Sequence, residues 1–429
     1  MKALQVDREL LRFGAARLAS GLRPGAGARV GPLRLVDIDA PELPGADWVR
    51  LRPRLAGICG SDLATVDGRS SRWFEPIVSF PFVPGHEVVA QREDGTRVVV
   101  EPVLGCVARG IEPVCDACAD GRLGNCGNLA HGHLEAGLQS GYCCDAGGGW
   151  AEAMVAHESQ LHEVPDELDD PAAVLIEPAA CAVHAAFAAS VQPGESVAVI
   201  GAGTLGLLTL AALRRWARPG RVVVAAKHPE QRRWAGELAP ADVPLSICDP
   251  NELARAVRRE LGTLMIDADG PHARLTQGAE VTIDCVGSAD SLTSALSVTR
   301  PGGRVLLVGM PAVTTLDLTP LWQREISVTG TYAYGTEVLE GERHRTFDLA
   351  AELVAAAQLG RLVSASYPLS RAGDALEHAA AAGRRGATKV VFAPCDDLAT
   401  PDHPAAARTR APATTRPRTG STPRTRERR

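Results

Sequence analysis

The 429-residue sequence predicts an α/β protein organised around a doubly wound parallel sheet, on three observations. From residue 196 onward, strand-like and helix-like segments alternate, which is the pattern of βαβ units. A glycine-rich loop joins the first of those strands to its helix. The half before them reads as short strands cut by Pro and Gly, so a β-rich unit accompanies the parallel sheet. With 45% hydrophobic and 22% charged residues, the chain has the balance of a globular protein of two to three domains.

In the first half, residues 48–52, 87–92 and 96–100 have strand character. A loop rich in Gly and Cys runs from 105 to 149. The stretch 171–191 is Ala-rich and apolar, as a packed helix requires. Residues 197–200 then precede a helix from Leu205, and 222–226 precede one from Pro229. Further strands are expected at 281–285 and 305–308, a helix at 347–359 and a closing strand at 389–392. From 393 to 429 the chain turns to Ala, Thr, Pro and Arg, with eight Arg, no Lys and four acids. That tail carries +4 and leaves −10 on the body, out of a total of −6. It has too little apolar area to offset its ordering entropy, so a disordered, solvated extension is expected.

Several classes are excluded. Residues 1–10 alternate polar and apolar and lack an apolar signal core. The longest nearly apolar run, 196–213, is broken by three glycines and is barely long enough to span a bilayer. No membrane partner is expected. Mild acidity and 4% aromatics give no reason for a nucleic-acid partner. Eleven cysteines without a secretion signal read as free thiols or metal ligands in a cytoplasmic protein. The 42 Arg against three Lys (Lys2, Lys227, Lys389) read as coding bias.

The run Val197-Ala-Val-Ile-Gly-Ala-Gly-Thr-Leu-Gly206 places Gly201-x-Gly203-x-x-Gly206 between an apolar strand and an apolar helix that includes Leu205. Such a loop turns tightly, lets backbone approach a pyrophosphate and presents it to a helix N-terminus. A dinucleotide is therefore the expected cofactor. About twenty residues on, an acid usually meets the ribose 2′-hydroxyl. Here Ala226 holds that place, followed by Lys227, His228, Arg232 and Arg233. Cations there suit a 2′-phosphate, so NADP is favoured over NAD.

Three segments carry zinc-type donors: Gly57-Ile-Cys-Gly-Ser-Asp62, Gly85-His-Glu87 and Ile176-Glu-Pro-Ala-Ala-Cys-Ala-Val-His184. Cys59 and His86 are good ligands, and Glu177 or Glu87 supplies a third in this reading. With an open fourth position such a site is catalytic. A second cluster is Cys106, Cys115, Cys118 and Cys126. Four thiolates close a structural site; the rivals for the fourth place are Cys143, Cys144 or no zinc at all. Cys248, Cys285 and Cys395 read as core or tail thiols.

With these motifs, and with Asp284-x-x-Gly287 and Pro301-Gly-Gly303, the chain resembles the zinc-dependent medium-chain dehydrogenase/reductase family over residues 41–392. The resemblance implies a GroES-like barrel from 1–178 and 334–392, with a Rossmann domain at 179–333 inserted and a structural-zinc lobe at about 105–130. It implies a homodimer or homotetramer that transfers hydride between NAD(P) and a small secondary alcohol, polyol or sugar-like substrate. In that frame Cys59, His86 and Glu177 hold the catalytic zinc, with Cys181 an alternative to Glu177. Glu87 is a direct or intermittent ligand, Asp62 orients the His86 ring, and Ser61 binds the substrate oxygen and accepts its proton. Cys115, Cys118 and Cys126 match the structural-zinc spacing, while Glu112 stands where the first cysteine belongs. Cys106, further back, fills the set across an insertion of about six residues that a flexible loop absorbs. Many members place a proton-relaying His five residues after the first ligand; here Ala64 stands there. A zinc-free quinone or enoyl reductase would lack the Cys59, His86 and Glu177 set. A non-catalytic member keeping the fold is the remaining alternative.

Overall fold

Side chains of the Ser196–Ile200 strand divide between two cores: Val197 and Val199 enter one, Ala198 and Ile200 the other. A strand buried on both faces belongs in the middle of a helix-covered parallel sheet. The computed structural model, which describes residues 1–267 and 273–395, shows that sheet. Its order is Leu245–Cys248, Arg221–Ala225, Ser196–Ile200, Ala279–Asp284, Thr299–Leu307 and Ser327–Gly330, all parallel. The order reverses between Ser196–Ile200 and Ala279–Asp284, the switch point where α/β sheets bind ligands.

A second sheet of seven strands is mainly antiparallel and centres on Trp48–Gly57. Val88–Gln91, Met154–His157 and Lys389–Phe392 pair with it. Lys389–Phe392 is the closing strand expected at 389–392, and it returns the chain to the first sheet element. Val89, Val99 and Val391 of this sheet share one core with the Ile176–Ala188 and Thr204–Trp216 helices. The two sheets are thus joined through packed apolar residues.

The apolar stretch expected as a helix over 171–191 is helical at Asp170–Ala173 and again at Ile176–Ala188. By length and composition Asp170–Ala188 could cross a membrane, yet 72% of that window is buried within the fold, as befits a core helix. The strand expected at 305–308 starts earlier, at Thr299, and runs through Pro301-Gly-Gly303. Ordered packing continues past 392: Ala393 N–H donates to the Tyr367 carbonyl, and Cys395 is buried with its thiol toward the Glu152 carbonyl. The rest of the expected tail, 396–429, lies outside the described residues.

Residues 8–30, between Lys2–Val6 and Leu33–Asp37, contain the Leu10–Leu22 helix. It is fastened to the loop after the Gly60–Val66 helix. Ser20 Oγ donates to the Asp67 carbonyl, and the Asp67 carboxylate accepts from Gly25 N–H and Gly27 N–H, each at 3.1 Å. Phe13, Phe80, Phe82 and Tyr142 form a chain of ring contacts beneath. Phe80 and Phe82 therefore belong to the core, whereas Trp73 on the same loop is 81% exposed. Asp67 is buried. Asp67→Ala should cost about 2 kcal/mol, because two buried N–H groups lose their acceptor. An unchanged urea midpoint would contradict this attachment.

Candidate active site and metal centres

The phosphate-type loop lies at the switch point. Gly201 has φ +92°, in the left-handed region, and a Cβ on Gly206 would stand 1.9 Å from the Gly201 carbonyl oxygen. The turn therefore closes only with glycine at both positions. Gly203 caps the Thr204–Trp216 helix with no side-chain cap, and a Cβ on it would meet nothing within 4 Å. Open space before uncapped N–H groups is what a pyrophosphate needs. Leu205 and Gly206 begin that helix. Thr204 Oγ1 donates to the Thr388 carbonyl at 3.2 Å, tying the loop to the Lys389–Phe392 strand.

At the end of the next strand Ala226 is buried, and Lys227 beside it is exposed. His228 caps the Pro229–Leu238 helix; burial, then Lys227, Arg384 and Arg232, hold its pKa below the usual value. Arg232 turns inward: Nε donates to the Ala226 carbonyl at 2.8 Å, and Nη2 pairs with Asp249 at 3.1 Å. Arg384 joins the group from more than 150 residues away in sequence, where no local pattern reveals it.

Cys59, His86 and Glu87 each point a donor atom into one spot, all within 4.8 Å of one another. The sequence folds this way because Cys59 caps the Gly60–Val66 helix and Asp62 closes the turn, its Oδ2 accepting from Cys59 N–H at 2.9 Å. Asp62 Oδ1 faces His86 Nδ1 at 3.5 Å, and that buried nitrogen has no hydrogen bond. Burial lowers the proton affinity of His86, but Asp62 overcomes it and raises the pKa. Ser61 follows on the first helical turn, partly exposed. A Cβ on Gly57 would stand 1.8 Å from Glu87 Oε2, so the carboxylate lies over bare backbone.

Glu87 is also paired with Lys389, which is buried, donates to the Ile58 carbonyl and has its pKa raised by Glu87 against the effect of burial. Glu177 is buried close by but outside the tight three-donor group. Its Oε1 accepts from Tyr334 OH at 3.1 Å, and burial pushes its pKa up to about 7. Cys181 lies 3.9 Å from that oxygen, and burial raises its pKa.

Cys106, Cys115, Cys118 and Cys126 bring all four sulfurs within 4.8 Å. Tetrahedral Zn–S bonds of about 2.3 Å set sulfurs about 3.8 Å apart. Sγ of Cys106 is 3.6 Å, and that of Cys115 3.9 Å, from Cys126 Sγ. Cys115 N–H and Asn128 Nδ2 donate to Cys106 Sγ, and Asn128 N–H to Cys126 Sγ. Backbone N–H groups of Gly127 and Cys118 lower Cys115 to about 6. Cys143 and Cys144 turn to Glu135 and Asp145 instead. Both donor sets therefore fit zinc in chemistry, and the second fits it in spacing.

Residues 45–166 match the alcohol dehydrogenase GroES-like domain, and residues 204–356 match the zinc-binding dehydrogenase domain. The chain belongs to the zinc-dependent medium-chain dehydrogenase family. It is an NAD(P)-dependent oxidoreductase of the alcohol dehydrogenase type, with a GroES-like domain and a Rossmann-like parallel sheet. Zinc and a nicotinamide dinucleotide are its cofactors. It is 29% identical over 365 residues to the sorbitol dehydrogenase of Homo sapiens, covering 81% of this chain and 89% of that one. It is 26% identical over 360 residues to the sorbitol dehydrogenase of Bacillus subtilis, covering 81% and 90%. With the L-idonate 5-dehydrogenase of Vitis vinifera it shares 28% over 298 residues, covering 67% and 73%. The fold matches 2R,3R-butanediol dehydrogenase from Bacillus subtilis, with TM-score 0.65, 20% identity and coverage of 92% and 99%.

Motif reading in this medium-chain dehydrogenase missed Lys389, Tyr142 and Tyr334. Lys389 did leave a trace: it is one of only three lysines and opens an apolar strand. The two separate donor sets predict about two zinc ions per chain in metal-replete protein. Cys106→Ser should lose one ion and lower the melting temperature, leaving the other bound. Retention of both ions by that variant would contradict the fourth-ligand assignment.

Proposed function

We propose that this enzyme oxidises a polyol or a related secondary alcohol, prefers NADP, and uses Cys59, His86 and Glu177 as ligands of a catalytic zinc. One observation carries the reading: the phosphate loop and the donor cluster meet on one strand. Thr204 of the loop's helix bonds to Thr388, and the next residue, Lys389, pairs with Glu87 beside Cys59 and His86. A dinucleotide on the loop and an alcohol at the donors would thus share one rigid frame. The sorbitol and L-idonate dehydrogenases among the relatives support a polyol substrate.

Glu177 is preferred as third ligand on charge. Glu87 already has Lys389, whereas Glu177 has the neutral Tyr334 hydroxyl. A cation at Cys59 and His86 gives Glu177 the partner its burial calls for. When bound, zinc supplies Lewis acidity toward an alcohol oxygen and the dinucleotide supplies the hydride acceptor. This chain's residues do the remainder. Ser61 orients the substrate hydroxyl and takes its proton. Asp62 fixes the His86 ring. Tyr334 holds Glu177 in place, and the buried surroundings keep water from the reacting atoms.

For the cofactor, Ala226 offers no carboxylate to the ribose, and Lys227 with Arg384 supplies positive charge. Arg232 is committed to Ala226 and Asp249, so its part is to neutralise that aspartate. An exposed edge strand, Ser327–Gly330, supports a homodimer, and free thiols such as Cys143, Cys181 and Cys285 support a cytoplasmic setting.

Steady-state kinetics on a panel of polyols and secondary alcohols with both dinucleotides test this. Turnover should appear, with kcat/KM on the order of tenfold higher for NADP, since a charge-assisted hydrogen bond contributes about 1.5–3 kcal/mol. Lys227→Ala with Arg384→Ala should erase that preference. Cys59→Ser should lose at least about a hundredfold, Lewis-acid assistance being worth several kcal/mol. A wild-type preference for NAD would refute the cofactor assignment, and an active Cys59→Ser would refute the zinc chemistry.

A further inference from the structure

Between Cys118 and Cys126, residues 120–124 lie directly against residues 333–336. A Cβ on Gly335 would stand 1.9 Å from the Gly121 carbonyl oxygen, and one on Gly124 would stand 2.9 Å from Ala333 Cβ. Gly121 has φ +75°, and a Cβ on it would stand 2.3 Å from Thr336 Oγ1. Arg343 Nη2 donates to the Asp120 carbonyl. Neither the Asp116–Ala119 helix nor the Leu123–Asn125 turn buries a residue. This part of the lobe has no apolar core of its own, so its order depends on what the cysteines hold.

Tyr334 stands between two of those contact points, Ala333 and Gly335. It is buried against Phe347, with 4.8 Å between ring centroids, and donates to Glu177 Oε1 at 3.1 Å. Gly335 N–H donates to Thr346 Oγ1 at 3.0 Å, and Thr346 N–H to the Gly335 carbonyl at 2.9 Å. Between them runs a hairpin, Thr336–Leu339 paired with Glu342–Arg345. Glu337 Oε1 accepts from Thr346 Oγ1 at 3.1 Å and meets His184 Nδ1 at 2.7 Å. His184 is on the helix that carries Glu177. One short segment thus touches the four-cysteine lobe on one side and the Glu177 helix on the other.

We propose that residues 333–346 are a strap through which an ion in the four-cysteine lobe holds Tyr334 on Glu177, so that the lobe sets how tightly a second ion is held at Cys59, His86 and Glu177. The proposal rests on the reading of both donor sets as zinc sites and of Glu177 as a ligand. Tyr334 and Arg343 are positioning residues. With the lobe ion in place, residues 120–124 are fixed, and the backbone contact of Gly121 with Gly335 leaves 333–336 no room to shift. Without it, the lobe segment loosens, the strap loses its backing, and Glu177 loses the hydrogen bond that orients it. Removing such a partner from a metal ligand weakens binding about 10–100-fold.

The experiment uses full-length, zinc-replete protein as wild type, Cys106→Ser, Arg343→Ala, Tyr334→Phe and the Cys106→Ser/Tyr334→Phe double variant. Hydrogen exchange of the 333–346 amides reads the strap. Competition with a chromogenic chelator, resolved into two steps, reads the affinity of each zinc ion; the step that survives in Cys106→Ser is the one at Cys59. Exchange should speed up on the order of tenfold in Cys106→Ser, and less in Arg343→Ala, which keeps both ions. The ion left in Cys106→Ser should bind on the order of tenfold more weakly than in wild type. Tyr334→Phe should weaken the same ion as much, and the double variant should be no worse than either. Wild-type exchange in Cys106→Ser would overturn the strap. So would losses of affinity that add in the double variant, or a wild-type affinity in Cys106→Ser beside a weakened Tyr334→Phe. Wild-type affinity in Tyr334→Phe, with exchange still faster in Cys106→Ser, would overturn the ligand role of Glu177 instead.

Discussion

Cys59, Asp62, Glu87 and Glu177 bring four groups capable of negative charge into one largely dry space, and everything around them answers that fact. Burying an anion without a partner costs several kcal/mol. Lys389 neutralises Glu87, and Asp62 spreads its charge over Cys59 N–H, the His86 ring and Tyr142 OH. Glu177 is left with a tyrosine and a pKa near 7. A divalent cation at this place, as proposed above, would offset the cost of burying these groups. The same logic governs the small lobe, where four sulfurs accept N–H bonds and one thiol is already held near 6.

Chain topology supplies the partners. The mixed sheet is started by Trp48–Gly57 and completed by Lys389–Phe392, more than three hundred residues later. That return strand delivers Lys389 to Glu87, and the residue before it grips Thr204 at the mouth of the phosphate loop. A shared apolar core through the Ile176–Ala188 helix makes the connection stiff and also positions Glu177, on that helix's first turn. The glycine loop and the donor cluster are therefore linked by a few contacts rather than by a long network.

Local features were legible in the sequence. The glycine loop, the Cys59 to Asp62 turn and the cysteine spacing all express constraints acting within about twenty residues of chain, where residue type dictates backbone shape. Cys106 was legible by counting donors, and its sulfur does lie with those of Cys115, Cys118 and Cys126. Contacts made by topology were not. Lys389, Tyr334 and Tyr142 reach the site from other elements, and Arg384 reaches His228 across the fold. Arg232 shows the converse: its position beside the strand end suggested a phosphate ligand, yet the nearby Ala226 carbonyl and Asp249 claim its guanidinium. The boundaries of the 171–191 helix and of the closing segment shifted for similar reasons, since tertiary packing and not composition decided where each ended.

Zinc K-edge X-ray absorption on metal-replete protein tests the central claim directly, because it reads the ligands themselves. One site with four sulfurs and one with a single sulfur average to about 2.5 sulfurs per zinc, with nitrogen or oxygen making up the rest. That mixed shell is the expected result. A shell of four sulfurs alone would mean that the cluster at Cys59 and His86 holds no zinc, and a shell without sulfur would contradict both sites.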